Sequence, residues 1–304
     1  MSKRVGPDGV TKDRPDPQAA ELAAKYGLSV SGARPGLAEY LRRLWEHRYF
    51  IAEFARARSS AKYTRARLGG FWFVLTPLMN AAVYYVIFGL LLGTSRGVED
   101  FISFLVTGVF IFTFTRDTVT AGVKSISGER GLIRALHFPR AVLPLTQVTM
   151  KLRQLVISML VLIVIVVARG NYPDWEWLLI VPVLALQLVF NTGLAMWAAR
   201  LGSKVSDAAQ WLPFVLRVWM YGSGVLYMVE QRADDLPTWA LVILDMQPAA
   251  VYIDLMRYAL MNTHNFGAQY LPPHVWLLAL GWALLSLVAG FVYFYRAEEE
   301  YGRD

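Results

Sequence analysis

Hydrophobic positions along the chain gather into long runs parted by short polar stretches. Val74–Gly93 carries no charge over twenty residues, and the uncharged run reaches back to Leu68. Trp177–Ala199 and Val275–Tyr295 are uncharged over 23 and 21 residues. Each is long enough to cross a hydrocarbon core of roughly 30 Å as a helix. Other apolar runs carry charge near one end: Arg116 and Asp117 in one, and Lys151 and Arg153, long enough to snorkel, in another. A further run holds a single charge, Arg217, expected to be buried in it. The pattern predicts spans at about 71–93, 101–123, 146–168, 177–199, 208–229 and 275–295.

The stretch Thr238–Met261 also has the length of a span, but Asp245, Pro248, Asp254 and Arg257 interrupt it. Broken helix and charge at membrane depth are tolerated only where protein or a watery cavity surrounds them. It reads as two half-helices, about Thr238–Asp245 and Ala249–Met261, dipping in and returning to one side. A seventh crossing is the competing reading and would put the C-terminus outside. The fold class is an all-α polytopic membrane protein. Six transmembrane helices are expected, with an N-terminal amphipathic interfacial helix and a re-entrant outer helix pair between spans five and six.

Ahead of the first span, residues 1–35 are rich in Pro, Gly and charge and cannot bury enough surface to fold. They read as a disordered cytosolic tail, without the apolar core of a cleaved leader. In residues 36–67, Phe50, Phe54, Ala57 and Ala61 fall on one helical stripe, while Arg56, Arg58, Lys62, Arg65 and Arg67 lie mostly off it. Such a helix lies flat in the headgroup layer, drawn by anionic lipid; the plainer alternative is a solvated helix whose charge only sets orientation. Gly69 and Gly70 allow a sharp turn into the first span, where Trp72 suits the aromatic belt. Pro77 is expected to kink or break that helix unless it lies in the first turn. Gly89 and Gly93 make a small-residue pair for close helix contact.

Between the second and third spans lies Ser127–Pro144, SGERGLIRALHFPRAVLP. Its five titratable groups, Glu129, Arg130, Arg134, His137 and Arg140, belong in water, while Leu132, Ile133, Leu136 and Phe138 give it an apolar face. The spacing predicts one or two helical turns, halted where Phe138 precedes Pro139. A small amphipathic helix on the rim of a bundle can be a handle by which another protein moves it; an ordinary connecting loop is the alternative.

Length alone, 304 residues, would allow two soluble domains, but 56% hydrophobic residues and a mean hydropathy of +0.38, clustered as above, overrule that. Lys and Arg number 14 in residues 1–70, six in 123–153, two in 200–210 and two in 296–304. The opposite loops hold Arg96, Arg169, Arg232 and Arg257. That bias places both termini, including the tail 296–304, in the cytosol and supports an even number of crossings. The net charge of +7 then needs no nucleic acid, and no motif for one is present.

Other chemistries are excluded by absence. No cysteine is available for disulfides or thiolate chemistry. His47, His137, His264 and His274 show no ligand spacing, so no metal site is expected. No P-loop pattern occurs, and Gly222-Ser223-Gly224, flanked by Tyr221 and Val225, fits a glycine-flexed break better than a nucleophile elbow. No paired carboxylates on one apolar helix and no inverted repeat point to a secondary transporter.

With these elements in order, the chain resembles the permease subunit of ABC-2-type polysaccharide exporters, the family that moves O-antigens, teichoic acids and mycobacterial galactan on a lipid carrier. The basic helix leading into Leu68-Gly69-Gly70-Phe71-Trp72 with Pro77 is similar to that family's approach to its first span. The family's Asn-Leu-Ile-Lys-Lys-type coupling segment resembles Gly131-Leu132-Ile133-Arg134-Ala135, followed by Phe138-Pro139-Arg140 and Leu143-Pro144. Asp245-Met246-Gln247-Pro248 resembles its Asn-Pro turn, with Gln in place of Asn. The resemblance covers about Gly36–Tyr295.

It implies a transport subunit and not an enzyme: a homodimer of this chain in the plasma membrane, bound to two copies of a separate ATPase that holds the ATP and Mg. This chain itself would bind no cofactor. Leu132, Ile133, Arg134, Leu136, Phe138 and Arg140 would form the coupling segment docking on the ATPase, and Thr238–Met261 an outer gate. By the same analogy, Arg56, Arg58, Lys62, Arg65 and Arg67 would receive the head of a lipid-linked polysaccharide, pairing with its pyrophosphate oxygens. A sliding sugar chain needs flat, weakly binding walls, and Tyr84, Tyr85, Phe88, Phe112, Trp219, Tyr221 and Tyr227 are candidates; aromatics that merely pack or face lipid are the alternative. An ABC-2 permease for a drug or simple lipid is the nearest rival. An intramembrane transferase would need clustered acid and base groups, whereas Asp234, Asp235, Asp245 and Asp254 are spread.

Overall fold

A computed structural model of the chain describes residues 36–63, 71–91, 100–136, 138–228, 237–261, 266–298 and 301. The tail 1–35, Arg65, Arg67, Gly93, His137, Asp234 and Asp235 lie outside the described residues, as do the side chains of Lys62 and Pro77. Everything described is helix or connection, with no strand among the described residues.

Two helices precede the apolar runs, α1 (Leu37–Glu46) and α2 (Arg48–Tyr63), parted at His47. The first apolar run forms α3 (Trp72–Tyr84) and continues as a π-helical segment, Tyr85–Leu91. Its backbone passes position 77 without the expected break. Next come α4 (Phe101–Val123), the short α5 (Arg130–Ala135) and α6 (Val142–Ala168). A 3-10 turn, Trp175–Leu179, leads into α7 (Ile180–Lys204), and α8 (Ala208–Gly222) follows. The chain ends in α9 (Thr238–Met246), α10 (Pro248–Leu260) and α11 (Val275–Tyr295).

Among the described residues, five stretches are long and apolar enough to cross a membrane: Val74–Leu91, α4, α6, Trp175–Lys204 and α11. The pair α9 and α10 passes the same test only jointly, and it is bent by 70°. α8 departs from the expected 208–229. It stops at Gly222 after 15 residues, about 22 Å at 1.5 Å per residue. Ser223 then turns its hydroxyl and amide onto the Met220 carbonyl, and Gly224 takes a left-handed φ of 67° that glycine alone adopts freely. Arg217, expected to be buried in this span, is exposed, because α8 packs through Leu212, Leu216 and Met220 on its other face.

α4 is the central pillar. In its membrane-length window 78% of residues are buried, against 22% for α11, and α3, α6, α7, α8 and α10 all pack on it. α7 and α11 form the most extensive pairing. A Cβ at Gly193 of α7 would collide with the Ser286 carbonyl, and one at Gly290 with the Gly193 carbonyl, so these backbones nearly touch. Close packing thus falls at Gly193 and Gly290 instead of Gly89, whose nearest neighbours are the rings of Tyr85 and Phe101.

The ends of the bundle are pinned by polar contacts. At one end Asp100 accepts from Arg169 Nε at 3.0 Å and Asn171 Nδ2 at 2.8 Å, joining the start of α4 to the end of α6. At the other, α4 ends, α5 sits, α6 begins and α11 finishes, with Tyr40 of α1 packed among them.

Candidate functional site

The turn of helix at α5 is held by its neighbours. Glu129, in the preceding 3-10 turn, pairs with Arg58 of α2. Ile133 is buried (8% exposed), and Leu132 and Phe138 pack half-buried around it, Phe138 lying 6.2 Å from the ring of Phe50. Helix gives way at Leu136, whose extended backbone (φ −129°, ψ 140°) carries the chain toward Pro139. The apolar face read from the spacing is therefore divided: Leu132, Ile133 and Phe138 turn onto the molecule, while Leu136 (51% exposed) and Arg134 stay outside. Arg140 is half-buried, its amide and guanidinium both directed at Glu298.

In α2 the stripe reaches protein as well as surface. Phe50 stacks on Phe54 with centroids 5.4 Å apart, and Ala55 is fully buried. Arg153 of α6 donates to the Ala52 carbonyl at 3.4 Å. Arg58 lies over the Phe54 ring, 5.1 Å from its centroid, and pairs with Glu129. Arg56 is exposed, with Glu53 4.0 Å away.

The aromatic candidates fall around the join of α3, α4 and α8. Tyr84 directs its hydroxyl at Met220 Sδ, 3.8 Å away, and meets Phe88 edge-on at 6.5 Å. Phe112, only 1% exposed, meets Trp219 edge-on at 5.8 Å. Tyr85 lies 6.5 Å from Phe101, and Tyr227 is half-buried beyond the end of α8. Tyr221 is open, at 44% exposure. Arg116, Arg217 and Tyr221 all lie within electrostatic reach of the Tyr84 hydroxyl. Arg116 is also bonded to Asp117, 3.1 Å away, and Lys151 of α6 lies 3.5 Å from the same carboxylate. Phe112 and Trp219 are thus in contact, Tyr84 reaches Met220 next to Trp219 in the chain, and Tyr221 is open.

The bend between α9 and α10 has its own organiser. Gln247 is extended (φ −67°, ψ 148°), as a residue before proline must be. Its Oε1 accepts from Trp219 Nε1 at 2.7 Å, and its Nε2 donates to the Leu244 carbonyl at 3.1 Å and to that of Gly222. The side chain that departs from the Asn-Pro pattern therefore satisfies carbonyls at two helix ends. Trp282 of α11 donates to the Met246 carbonyl at 2.8 Å.

Arg257, counted among outer-loop charges, is instead one of the most buried side chains (1% exposed). It donates to Asp254 at 3.0 Å, to the Phe104 carbonyl at 3.3 Å and to the Val225 carbonyl at 3.1 Å. Its guanidinium stacks 3.3 Å from the Phe104 centroid. One side chain so fastens α10 to α4 and to the segment after α8.

The last site was illegible in the sequence, where 296–304 reads as a plain charged tail. Glu298 is 2% exposed. Tyr40 donates to its Oε2 at 3.0 Å and the Arg140 amide to its Oε1 at 2.9 Å. Burial pushes the Glu298 carboxyl above the ordinary carboxylate range, partly offset by the Arg140 amide, the Tyr40 hydroxyl and the Arg140 charge. Burial, with the neighbouring Glu298, raises Tyr40 in turn. No spacing signal links residues 258 positions apart.

Against known proteins, the sequence profile of a family described as ABC-2 type transporter matches residues 55–261, from within α2 to the residue after α10. The chain is 26% identical over 195 residues to the O-antigen export system permease protein RfbA of Myxococcus xanthus, covering 64% of this chain and 74% of that one. It is also 26% identical over 202 residues to a protein of the same name from Klebsiella pneumoniae, covering 66% and 76%.

Proposed function

The chain belongs to the ABC-2 transporter membrane family, and from that footing we propose that it is the permease subunit of an ATP-driven polysaccharide exporter. Its cargo would be a polyprenyl-pyrophosphate glycan, such as galactan or O-antigen, carried from the cytosol across the plasma membrane. The observation that carries this is the similarity, over about two-thirds of the chain, to permeases named for O-antigen export.

The arrangement of helices supports a topology of six crossings with both termini cytosolic. α11 finishes beside α5 and the start of α6, because Glu298 meets Arg140 there. α6 leads away from that end and α7 returns to it, so an odd number of crossings separates α7 from α11. With α8 taken as that crossing, the bent pair α9–α10 returns to the far side as a re-entrant outer gate; with α8, 15 residues long, only a partial crossing, the pair would itself be the crossing. A seventh crossing does not fit that parity.

On this reading α5 and Leu136 are where an ATPase presses, two copies of it serving two copies of this chain. Arg56 and Arg58, together with Lys62, Arg65 and Arg67, would receive the lipid pyrophosphate. Tyr84, Trp219 and Tyr221, with Tyr85, Phe88 and Tyr227, form the aromatic wall past which sugar slides, while Phe112, at 1% exposure, packs behind Trp219 and does not face the cargo. Motion of the helices, with no chemistry on the cargo, is the work of this subunit.

The test is depletion of the chain in its host. A lipid-linked glycan should accumulate on the cytosolic leaflet, and re-expression should clear it. A glycan pool and cell surface that stay unchanged would defeat the reading and favour a permease for a smaller cargo.

A further inference from the structure

Three elements far apart in sequence converge on one carboxylate. Glu298 sits just past α11; its Oε1 accepts the Arg140 amide at 2.9 Å and lies 3.7 Å from the Arg140 guanidinium. Its Oε2 accepts the hydroxyl of Tyr40 in α1 at 3.0 Å, and that hydroxyl accepts the Ala141 amide at 3.2 Å. Ala141 is the residue on which α6 starts, and no side chain of its own caps the helix. A carboxylate placed there also complements the positive end of the α6 dipole. Tyr40 and Glu298 both lie outside the 55–261 that the family profile covers.

We infer that Glu298 is a positioning residue: it locks the stretch between α5 and α6 to α1 and to the end of α11, so that a displacement of α5 reaches α6 and α11 as one body. The reasoning starts from the link itself. Between Ala135 and Val142 none of the described residues is helical, and Leu136 is extended. Such a link bends under load unless something fixes its far end. The carboxylate and the Tyr40 hydroxyl hold two successive amides there, those of Arg140 and Ala141. α11 is in turn pressed against α7 at Gly193 and Gly290, so the locked body extends to α7.

The chemistry of the joint asks for a carboxylate. Every group facing Glu298 is a donor: an amide, a guanidinium and a phenol. A glutamine of equal size would set its own NH2 against one of them and leave a buried donor without an acceptor. The inference rests on the reading of α5 as the point where an ATPase pushes.

The experiment compares wild type, Glu298→Gln, Tyr40→Phe and the double variant, each full-length, co-expressed with the ATPase and placed in proteoliposomes with polyprenyl-pyrophosphate glycan extracted from the host. Because the chain has no cysteine, spin labels go cleanly on cysteines replacing Trp45 and Arg134, both exposed; since Arg134 belongs to the coupling segment, ATPase binding and export are read on the unlabelled, cysteine-free chains. Wild type should give one narrow label distance, and each variant a broad one. Co-purified ATPase should stay within about twofold of wild type while glycan exported per ATP falls at least fivefold. The double variant should be no worse than the worse single, as expected for two members of one joint. A narrow distance with unchanged export per ATP in both single variants would overturn the proposal. So would a loss of ATPase binding that tracks the loss of export, which would make Glu298 a fold-holding residue only. Labels that broaden as expected, in a chain whose wild type neither binds an ATPase nor exports, would leave the joint standing and remove the function instead.

Discussion

Arg257 shows how one residue can set the cost of a fold. A guanidinium with 1% exposure keeps its charge in the apolar bundle only because Asp254, two backbone carbonyls and the Phe104 ring surround it. The space is cut to size, since a Cβ on Gly108 would come within 2.8 Å of its Nη2. Arg257→Ala takes the guanidinium away from the buried Asp254 carboxylate and from the carbonyls of Phe104 and Val225, at a cost of about 3–5 kcal/mol. The detergent-solubilised variant should unfold well below wild type, and adding Asp254→Asn should recover part of the loss. Equal unfolding temperatures for wild type and Arg257→Ala would show that α10 is held by packing alone.

Among the elements, α5 is the one whose two faces part company. Ile133 is 8% exposed and Leu136 51%, so the same substitution should give opposite readouts. Leu136→Asp removes an exposed apolar contact and should leave membrane yield and thermal stability within about 0.5 kcal/mol of wild type, while co-purification with the ATPase collapses. Ile133→Asp buries a carboxylate against α1 and α11 and should lower stability first, by roughly 1–3 kcal/mol or more. ATPase binding that survives Leu136→Asp would move the docking surface elsewhere. The bent pair belongs to this scale too. Gln247 makes the 70° turn possible by bonding the carbonyls of Leu244 and Gly222, which a hydrocarbon interior would otherwise leave unsatisfied.

For the whole molecule, the decisive quantity is which side each end of each helix occupies. Exposed positions 239 and 269 bracket the bent pair, and 45 and 134 lie at the α5 end. With no native cysteine to confuse labelling, single cysteines replacing Trp239 and Gln269 should react only with an impermeant reagent added outside. Cysteines replacing Trp45 and Arg134 should react only after the membrane is opened. Inside labelling at 239 would make α9–α10 a full crossing and demote α8 to a partial one.

Much of this architecture follows from the order of residues alone. Apolar runs of twenty or more residues can only be helices across a membrane, because lipid offers backbone groups no partner. The runs 101–123 and 275–295 are helical from end to end, as α4 and α11. The break at Gln247-Pro248 was legible for a local reason, the backbone limits that proline imposes on its predecessor; the short helix before Phe138-Pro139 gives way sooner than that rule places it, at Leu136. Local pattern marked a glycine-flexed break at Gly222-Ser223-Gly224, where α8 stops, but not that the helix ends there instead of running on to 229, since apolar side chains continue to Val229. Nor could it tell that Arg257 is a core residue, that Gly193 and Gly290 bring two backbones together, or that Glu298 reaches Tyr40 and Arg140. Those are contacts between residues tens to hundreds of positions apart. Only the assembled bundle brings their partners together, and a charge can be buried only where every one of its partners is already in place.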